Sequence, residues 1–314
     1  MTACPSRSFF LPRQRKRLRA GIEFRYLTAV TVLEVIQRSG DFLQRHGVDS
    51  PRLQAELLLA HVLELPRLQL YLNHGRTLIE PEITSLRALV QRRAKREPLQ
   101  HLVGSTSFFG LEISVGPEAL IPRPETETLV ELTLAALGKV TSPQPQVLDF
   151  GTGTGCIATA IAVKCPSSRL HALDISEPAL ALARRNAARH ALSERITFLF
   201  GDGFSALRPE LRFDLIVTNP PYIPAAEIAT LQPEVRDFDP RLALDGGTDG
   251  LDFYRRLAAE SPAWLRAGGG LFAEFGDGQG EAIQELFRAH GWLRVALHAD
   301  LTKRLRVMEA WRTA

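Results

Sequence analysis

Between Thr31 and about Glu97, apolar residues recur at helix-like intervals. In "TVLEVIQRSGDFLQRHG" the positions are Val32, Leu33, Val35, Ile36, Phe42 and Leu43, and a glycine stops the pattern. "SPRLQAELLLAHVLEL" predicts a second helix, with Ser50 as N-cap and Pro51 in its first position. "EPEITSLRALVQRRAKRE" predicts a third, with a basic last turn. Over residues 98–123 the period shortens to β-type runs punctuated by Gly104, Gly110 and Gly116, which reads as a β-hairpin linker. An amphipathic helix follows in "PETETLVELTLAALG", opened by Pro124 with Glu125 and Glu127 in its first turn.

From residue 146 continuous apolar runs alternate with amphipathic segments: "QVLDFG", "CIATAIAVKC", "RLHALDIS", "EPALALARRNAARHA", "RITFLFGD", "FDLIVTNPP". After a long loop come two further helices, one strand between them and two strands at the end. Strands buried on both faces predict an α/β fold with a doubly wound parallel sheet. The short connection between the last two strands predicts an antiparallel pair at one edge. The expected division is a basic extension over 1–30, a helical domain over 31–97, the linker over 98–123 and the α/β domain over 124–314.

Composition changes this picture at one place. The 314 residues are 45% hydrophobic and 23% charged, ordinary for a globular protein. No apolar run approaches the about 18 residues of a membrane span. Residues 1–30, however, hold seven basic side chains (Arg7, Arg13, Arg15, Lys16, Arg17, Arg19, Arg25) and one acid, Glu23. Setting these aside from the 38 basic and 35 acidic residues leaves 31 against 34, so the net +3 of the chain becomes −3 for its body. A mildly acidic body argues against an extended nucleic-acid groove. The tail reads as a disordered extension or, alternatively, as a transit peptide to the mitochondrial matrix. Cys4, Cys156 and Cys165 give no disulfide framework and no zinc spacing, and no histidine pair has metal-ligand spacing. A reducing compartment, the cytoplasm, and no metal are expected.

Four stretches carry candidate chemistry. "VLDFGTGTGCIA" is a strand, a turn with Gly151, Gly153 and Gly155, and a helix start. Glycines let backbone pass close to a ligand, and a helix N-terminus offers free N–H groups. A nicotinamide fingerprint needs Gly or Ala at 156, where Cys156 stands. The G-x-G-x-G spacing behind Asp149 suits S-adenosylmethionine (SAM), whose methionine end needs backbone donors and an acceptor; a turn that merely packs strand on helix is the alternative. Asp174, ending the second strand, is placed for ribose hydroxyls or as a helix N-cap. Asp202 in "GDGF" is placed for the adenine amino group or is a turn aspartate.

The fourth stretch is "TNPPYIP". Two prolines end the strand "FDLIV" and stiffen the turn. The Asn219 side-chain oxygen and the Pro220 carbonyl are two acceptors that can hold both hydrogens of a planar –NH₂, and Tyr222 can stack on the flat group. The substrate read from these residues is an amide or a nucleobase amine.

These motifs resemble the amino-methyltransferases. "FFGLEISVGPEALIPRPETE", "LDFGTGTG", "ALDIS", "NPPYIP" and "DGGTDGLDFYRRL" narrow the resemblance to the HemK/PrmC family, the peptide chain release factor glutamine methyltransferases, from about Thr31 to the C-terminus. It implies a Rossmann-like SAM-dependent methyltransferase fold. It also implies methylation of the glutamine side-chain nitrogen (N5) in a Gly-Gly-Gln motif of release factors, with nucleobase methylation of DNA or rRNA as the alternative. Carried over by position, Gly151, Thr152, Gly153, Thr154, Gly155, Asp174, Gly203 and Asn219 are expected to contact SAM. Asn219, Pro220, Pro221 and Tyr222 are expected to hold the glutamine. Two positions depart from the family pattern: Gly203 stands where an aromatic residue is common, and Lys303 where a small residue is usual. Arg123, Pro124 and Glu125 are expected near the pocket mouth, or Arg123 and Glu125 as a local ion pair.

Overall fold

The computed structural model describes residues 30–312; the basic extension expected over 1–30 lies, but for its last residue, outside the described residues. Five helices come first: α1 (Val32–Arg45), α2 (Pro51–Val62), α3 (Arg67–Leu72), α4 (Glu80–Ala94) and α5 (Leu99–Val103). They enclose their own apolar core, including Val32, Leu43, Leu58, Leu59, Leu70 and Leu102. Thr31 caps α1 through a reciprocal pair with Glu34. Ser50 does not cap α2: its backbone is left-handed, φ 47°, and its side chain makes no cap bond. Pro51 alone marks the start, having no N–H to satisfy.

The linker is more mixed than its composition suggested, since α5 occupies its beginning. The hairpin proper is β1 (Ser105–Phe108) with β2 (Leu111–Ser114), paired antiparallel. Its two-residue loop, Phe109 and Gly110, has φ of 53° and 75°, the backbone that matches strand twist in a tight hairpin. Asn186 bolts this hairpin to the α/β body. Its Oδ1 accepts from the Ser114 N–H, and its Nδ2 donates to the carbonyls of Ser114 and Thr154.

The body runs α6 (Thr126–Leu137), β3 (Gln146–Phe150), α7 (Cys156–Lys164), β4 (Arg169–Asp174), α8 (Glu177–Arg189), β5 (Ile196–Phe200) and β6 (Phe213–Thr218). After the short helix α9 (Pro233–Arg236) come α10 (Asp252–Glu260), β7 (Leu265–Glu274), α11 (Gly280–Ala289), β8 (Arg294–Ala299) and β9 (Leu305–Trp311). The seven strands lie in the order β5-β4-β3-β6-β7-β9-β8, parallel except for β9, which is antiparallel to both neighbours. The expected antiparallel edge is present, with the last strand slotted inside the edge rather than at it.

Alternate residues of each central strand feed two cores. Val147, Leu215 and Val217 meet Leu129 of α6, Ile157 of α7 and Ala187 of α8 on one face. Leu148 and Ile216 meet Tyr254 and Leu257 of α10 and Ile283 and Phe287 of α11 on the other, and Phe213 joins them because a register shift separates it from Leu215. All six residues of β6 are buried, as a strand covered on both faces requires. Strand order reverses between β3 and β6, so the crevice at their C-terminal ends is the switch point where open α/β sheets take ligands.

Candidate active site

The loop after β3 bends through three left-handed glycines, Gly151 (φ 75°), Gly153 (φ 55°) and Gly155 (φ 75°). Their surroundings differ. A Cβ on Gly151 would meet nothing within 4 Å, and one on Gly153 only the Ala119 methyl at 3.7 Å, so both open onto a cavity. A Cβ on Gly155 would lie 2.9 Å from that of Ala183, so this glycine lets α7 pack closely on α8.

Asp149 lies beneath the loop with no exposure. One carboxylate oxygen accepts from Thr152 Oγ1 (2.6 Å) and from the Ala158 N–H (3.1 Å). The other is buried without a partner in the protein. Burial pushes this carboxyl up to about 7 against those two hydrogen bonds. At the end of β4, Asp174 accepts from the Gly153 N–H (2.8 Å) and the Ser176 N–H (2.9 Å), and burial raises its pKa. It does not cap α8; Ser176 does, through the Ala179 N–H. Each Asp174 oxygen therefore keeps acceptor capacity toward the cavity.

Gly151, Thr152, Gly153, Thr154, Asp174, Asp202, Gly203, Asn219 and Pro221 line one common cavity. Gly155, Pro220 and Tyr222 are not among its lining residues, though each adjoins one that is. The coil over residues 118–123, Thr126 of α6 and Arg256 of α10 also line it. Asp202 is held by Arg256, which donates to its carboxylate (2.5 Å) and its carbonyl (3.0 Å). A Cβ on Gly203 would sit 2.6 Å from the guanidinium carbon of Arg256. The absence of an aromatic side chain at 203 is thus matched by an arginine filling that space. Lys303 has φ 67° in the turn between β8 and β9, a backbone that favours glycine, and nothing in the structure explains the lysine there.

The Asn-Pro-Pro-Tyr turn leaves β6 beside the glycine loop, and Thr218 Oγ1 ties the two strand ends together through the Phe150 carbonyl (2.7 Å). The back of the turn is crowded. A Cβ on Gly250 would meet the Tyr222 carbonyl oxygen at 2.3 Å, and one on Gly246 the Pro221 carbonyl at 2.9 Å. Gln279 Nε2 donates to the Tyr222 carbonyl (2.8 Å). Burial pushes the Tyr222 phenol up to about 12, which keeps it neutral. Asn219 Nδ2 donates to Thr126 Oγ1 (3.1 Å), and Thr126 Oγ1 donates to Glu274 (2.6 Å).

The segment after this turn reaches back to the helical region. Glu234 accepts from Arg93 (2.7 Å) and from Arg96 through two nitrogens (2.6 Å each). Arg123 pairs with buried Asp239 (2.8 Å) rather than with Glu125, while burial still lifts Asp239 to about 6.

Sequence reasoning left out Thr126, Glu274, Gln279, Arg256 and Asp239. They come from distant segments, and the stretches quoted for the resemblance contained only Thr126, in "IPRPETE", and Arg256, in "GLDFYRRL", neither marked by its own spacing.

The residues fit SAM. Two glycines open toward the cavity, Asp149 keeps a buried oxygen unpaired, and Asp174 retains acceptor capacity beside them. The family model described as the PrmC N-terminal domain matches residues 34–104, and the Methyltransferase small domain matches residues 128–233. The release factor glutamine methyltransferase of Geobacter sulfurreducens is 45% identical over 262 residues, 83% of this chain and 90% of that one. Its counterpart from Chlorobaculum tepidum is 46% identical over 258 residues, 80% of this chain and 87% of that one. Among solved structures, the hMettl16 catalytic domain in complex with the MAT2A 3'UTR hairpin 6 superposes with a TM-score of 0.54 at 18% identity, over 76% of this chain and 85% of that one, which shows the shared fold. With this fold, this cofactor cavity and relatives of that identity, the chain belongs to the release factor glutamine methyltransferase family and is a SAM-dependent enzyme.

Proposed function

We propose that this enzyme methylates the side-chain amide nitrogen of the glutamine in the Gly-Gly-Gln motif of peptide chain release factors. The observation that carries the reading is the position of Asn219, on the same cavity as the glycine loop and Asp174. Its NH₂ is engaged by Thr126, and its oxygen receives no hydrogen bond from the described residues. An amide nitrogen is a poor nucleophile because its lone pair is delocalised. Asn219 Oδ1 and the Pro220 carbonyl accept hydrogen bonds from the two amide hydrogens, which aims the nitrogen and stabilises the charge that develops on it. When bound, SAM would supply an electrophilic methyl for that nitrogen and leave as S-adenosylhomocysteine, the nitrogen shedding one proton to water. Tyr222 packs behind the turn and keeps both acceptors in place. Gly151 to Thr154 and Asp174 hold the methionine and ribose ends, and Asp202 with Arg256 borders the adenine end.

The helical region over residues 31–97 contacts the body of the release factor in this reading. Its support is the family match to residues 34–104 and the exposure of Leu68 and Leu72 on α3. No helix among the described residues is long and apolar enough to cross a membrane. The compartment this reading assigns is the cytoplasm, on the ground that its substrate is a release factor. The test is incubation with labelled SAM and either release factor, DNA or rRNA. Label on the glutamine of the release factor is expected; label on nucleic acid alone contradicts the reading.

A further inference from the structure

We propose that Thr126 and Glu274 are positioning residues, which fix the orientation of the Asn219 carboxamide so that its oxygen faces the substrate amide. The inference rests on the reaction proposed above. Its basis is the polarity of one buried chain. Thr126 begins α6 and Glu274 ends β7; each is 2% exposed. A carboxylate only accepts hydrogen bonds, and a hydroxyl has one proton. Thr126 Oγ1 therefore spends its proton on Glu274, at 2.6 Å, and presents a lone pair to Asn219. At 3.1 Å from that lone pair the carboxamide must place its NH₂, and its oxygen turns the other way. The strand end is itself fixed, because buried Tyr254 donates its hydroxyl to the Glu274 carbonyl (2.6 Å).

A buried carboxylate bonded to a neutral hydroxyl and no cation costs stability, so its worth is to be sought in the site. Were Glu274 protonated, it would donate to Thr126. The threonine proton would then be free to meet Asn219, which favours the flipped amide with NH₂ toward the substrate. Burial raises this carboxyl to about 7, with Thr126, Arg306 of β9 and Asn219 opposing and Glu125 adding to the rise. Tyr222, Tyr254 and Cys156 also face it, and each is itself pushed up by burial and stays neutral. A turnover that falls as pH drops through about 7 follows, since the aligned relay needs the carboxylate.

The test uses the full chain, release factor at varied concentration, saturating SAM and calorimetric SAM affinity as the control for folding. Thr126→Val keeps the shape and removes the hydroxyl. It is expected to lose turnover about tenfold with SAM affinity within about twofold, the scale of one lost hydrogen bond. Thr126→Ser is expected to recover most of that loss. Glu274→Gln, which cannot ionise, is expected to remove the acidic limb from the turnover profile. Thr126→Val that turns over like wild type, or loses turnover only in step with SAM affinity, overturns the relay. So does an acidic limb that persists in Glu274→Gln. Wild-type enzyme that binds SAM yet transfers nothing to release factor overturns the reaction reading, and the relay with it.

Discussion

The glycine loop after β3 and the Asn-Pro-Pro-Tyr turn after β6 leave neighbouring parallel strands at the same end of the sheet, and they are packed in opposite ways. Around Gly151 and Gly153 there is open space, and the nearby carboxylates keep unused acceptor capacity. The turn is pressed from behind by Gly246, Gly250 and Gln279, and its asparagine is engaged through Thr126. A loop with open space beside carboxylate oxygens that still lack partners suits a ligand that is bound and released. A turn with no slack suits a group whose acceptors must stay aligned while a bond forms, where reorganisation is costly. Binding should therefore be separable from turnover by substitution.

The largest effect is expected at Asn219. Asn219→Ala removes one of two preorganised acceptors, and turnover should fall by about 10²-fold or more, with SAM binding weakened far less. Asp174→Ala should do the reverse. Losing the carboxylate leaves the ribose hydroxyls and the Gly153 N–H without it, and SAM affinity should weaken by about 2–3 kcal/mol by calorimetry. Turnover at saturating SAM should stay near wild type; an unchanged affinity would make Asp174 a brace for the loop alone. Arg256→Ala is next. It releases Asp202 and removes a flat cation from the adenine end, worth about 1 kcal/mol of SAM affinity. No change there would leave Gly203 and Arg256 as a packing pair only.

The last effect is on stability rather than on binding or turnover. Asp149 is pushed from an ordinary 3.8 to about 7, and Glu274 from 4.5 to about 7. Both carboxyls bind protons more tightly folded than unfolded, so they favour the folded state as pH falls from about 7 toward 5 and lose that contribution as pH rises through 7. The melting temperature of wild type, compared with Asp149→Asn without SAM, should gain on the variant as pH is lowered over this window. A constant difference would show that Asp149 does not titrate there.

The sheet and the cavity were legible because their signals are local. Continuous apolar strands, a glycine turn and two adjacent prolines each follow from a few consecutive residues. Short helices were not: α5, five residues long, offers too little of a helical period to separate from the strand signal beside it. Ser50 has the right chemistry for a cap, but its left-handed backbone turns its side chain away from that use. The Thr126–Glu274 contact joins residues 148 positions apart, and Arg256 meets Asp202 across 54. Nothing in either neighbourhood announces its partner, because these pairings exist only once the strands and helices are stacked. Arg123 shows the same limit: its chain neighbour Glu125 was available, and the fold pairs it with Asp239 instead.

Asn219 acts in transfer rather than in holding SAM if the two-acceptor geometry is right. Single-turnover methyl transfer to release factor at saturating SAM, with SAM affinity measured in parallel, separates the two for Asn219→Ala and Asn219→Asp. The aspartate keeps an acceptor in the same place, though its charge must be desolvated in the closed site. The predicted result is a transfer step slowed about 10²-fold in Asn219→Ala, less in Asn219→Asp, with both variants binding SAM nearly as wild type does. If both lose activity only in proportion to weakened SAM binding, Asn219 is a cofactor residue and the two-acceptor account of the turn is wrong.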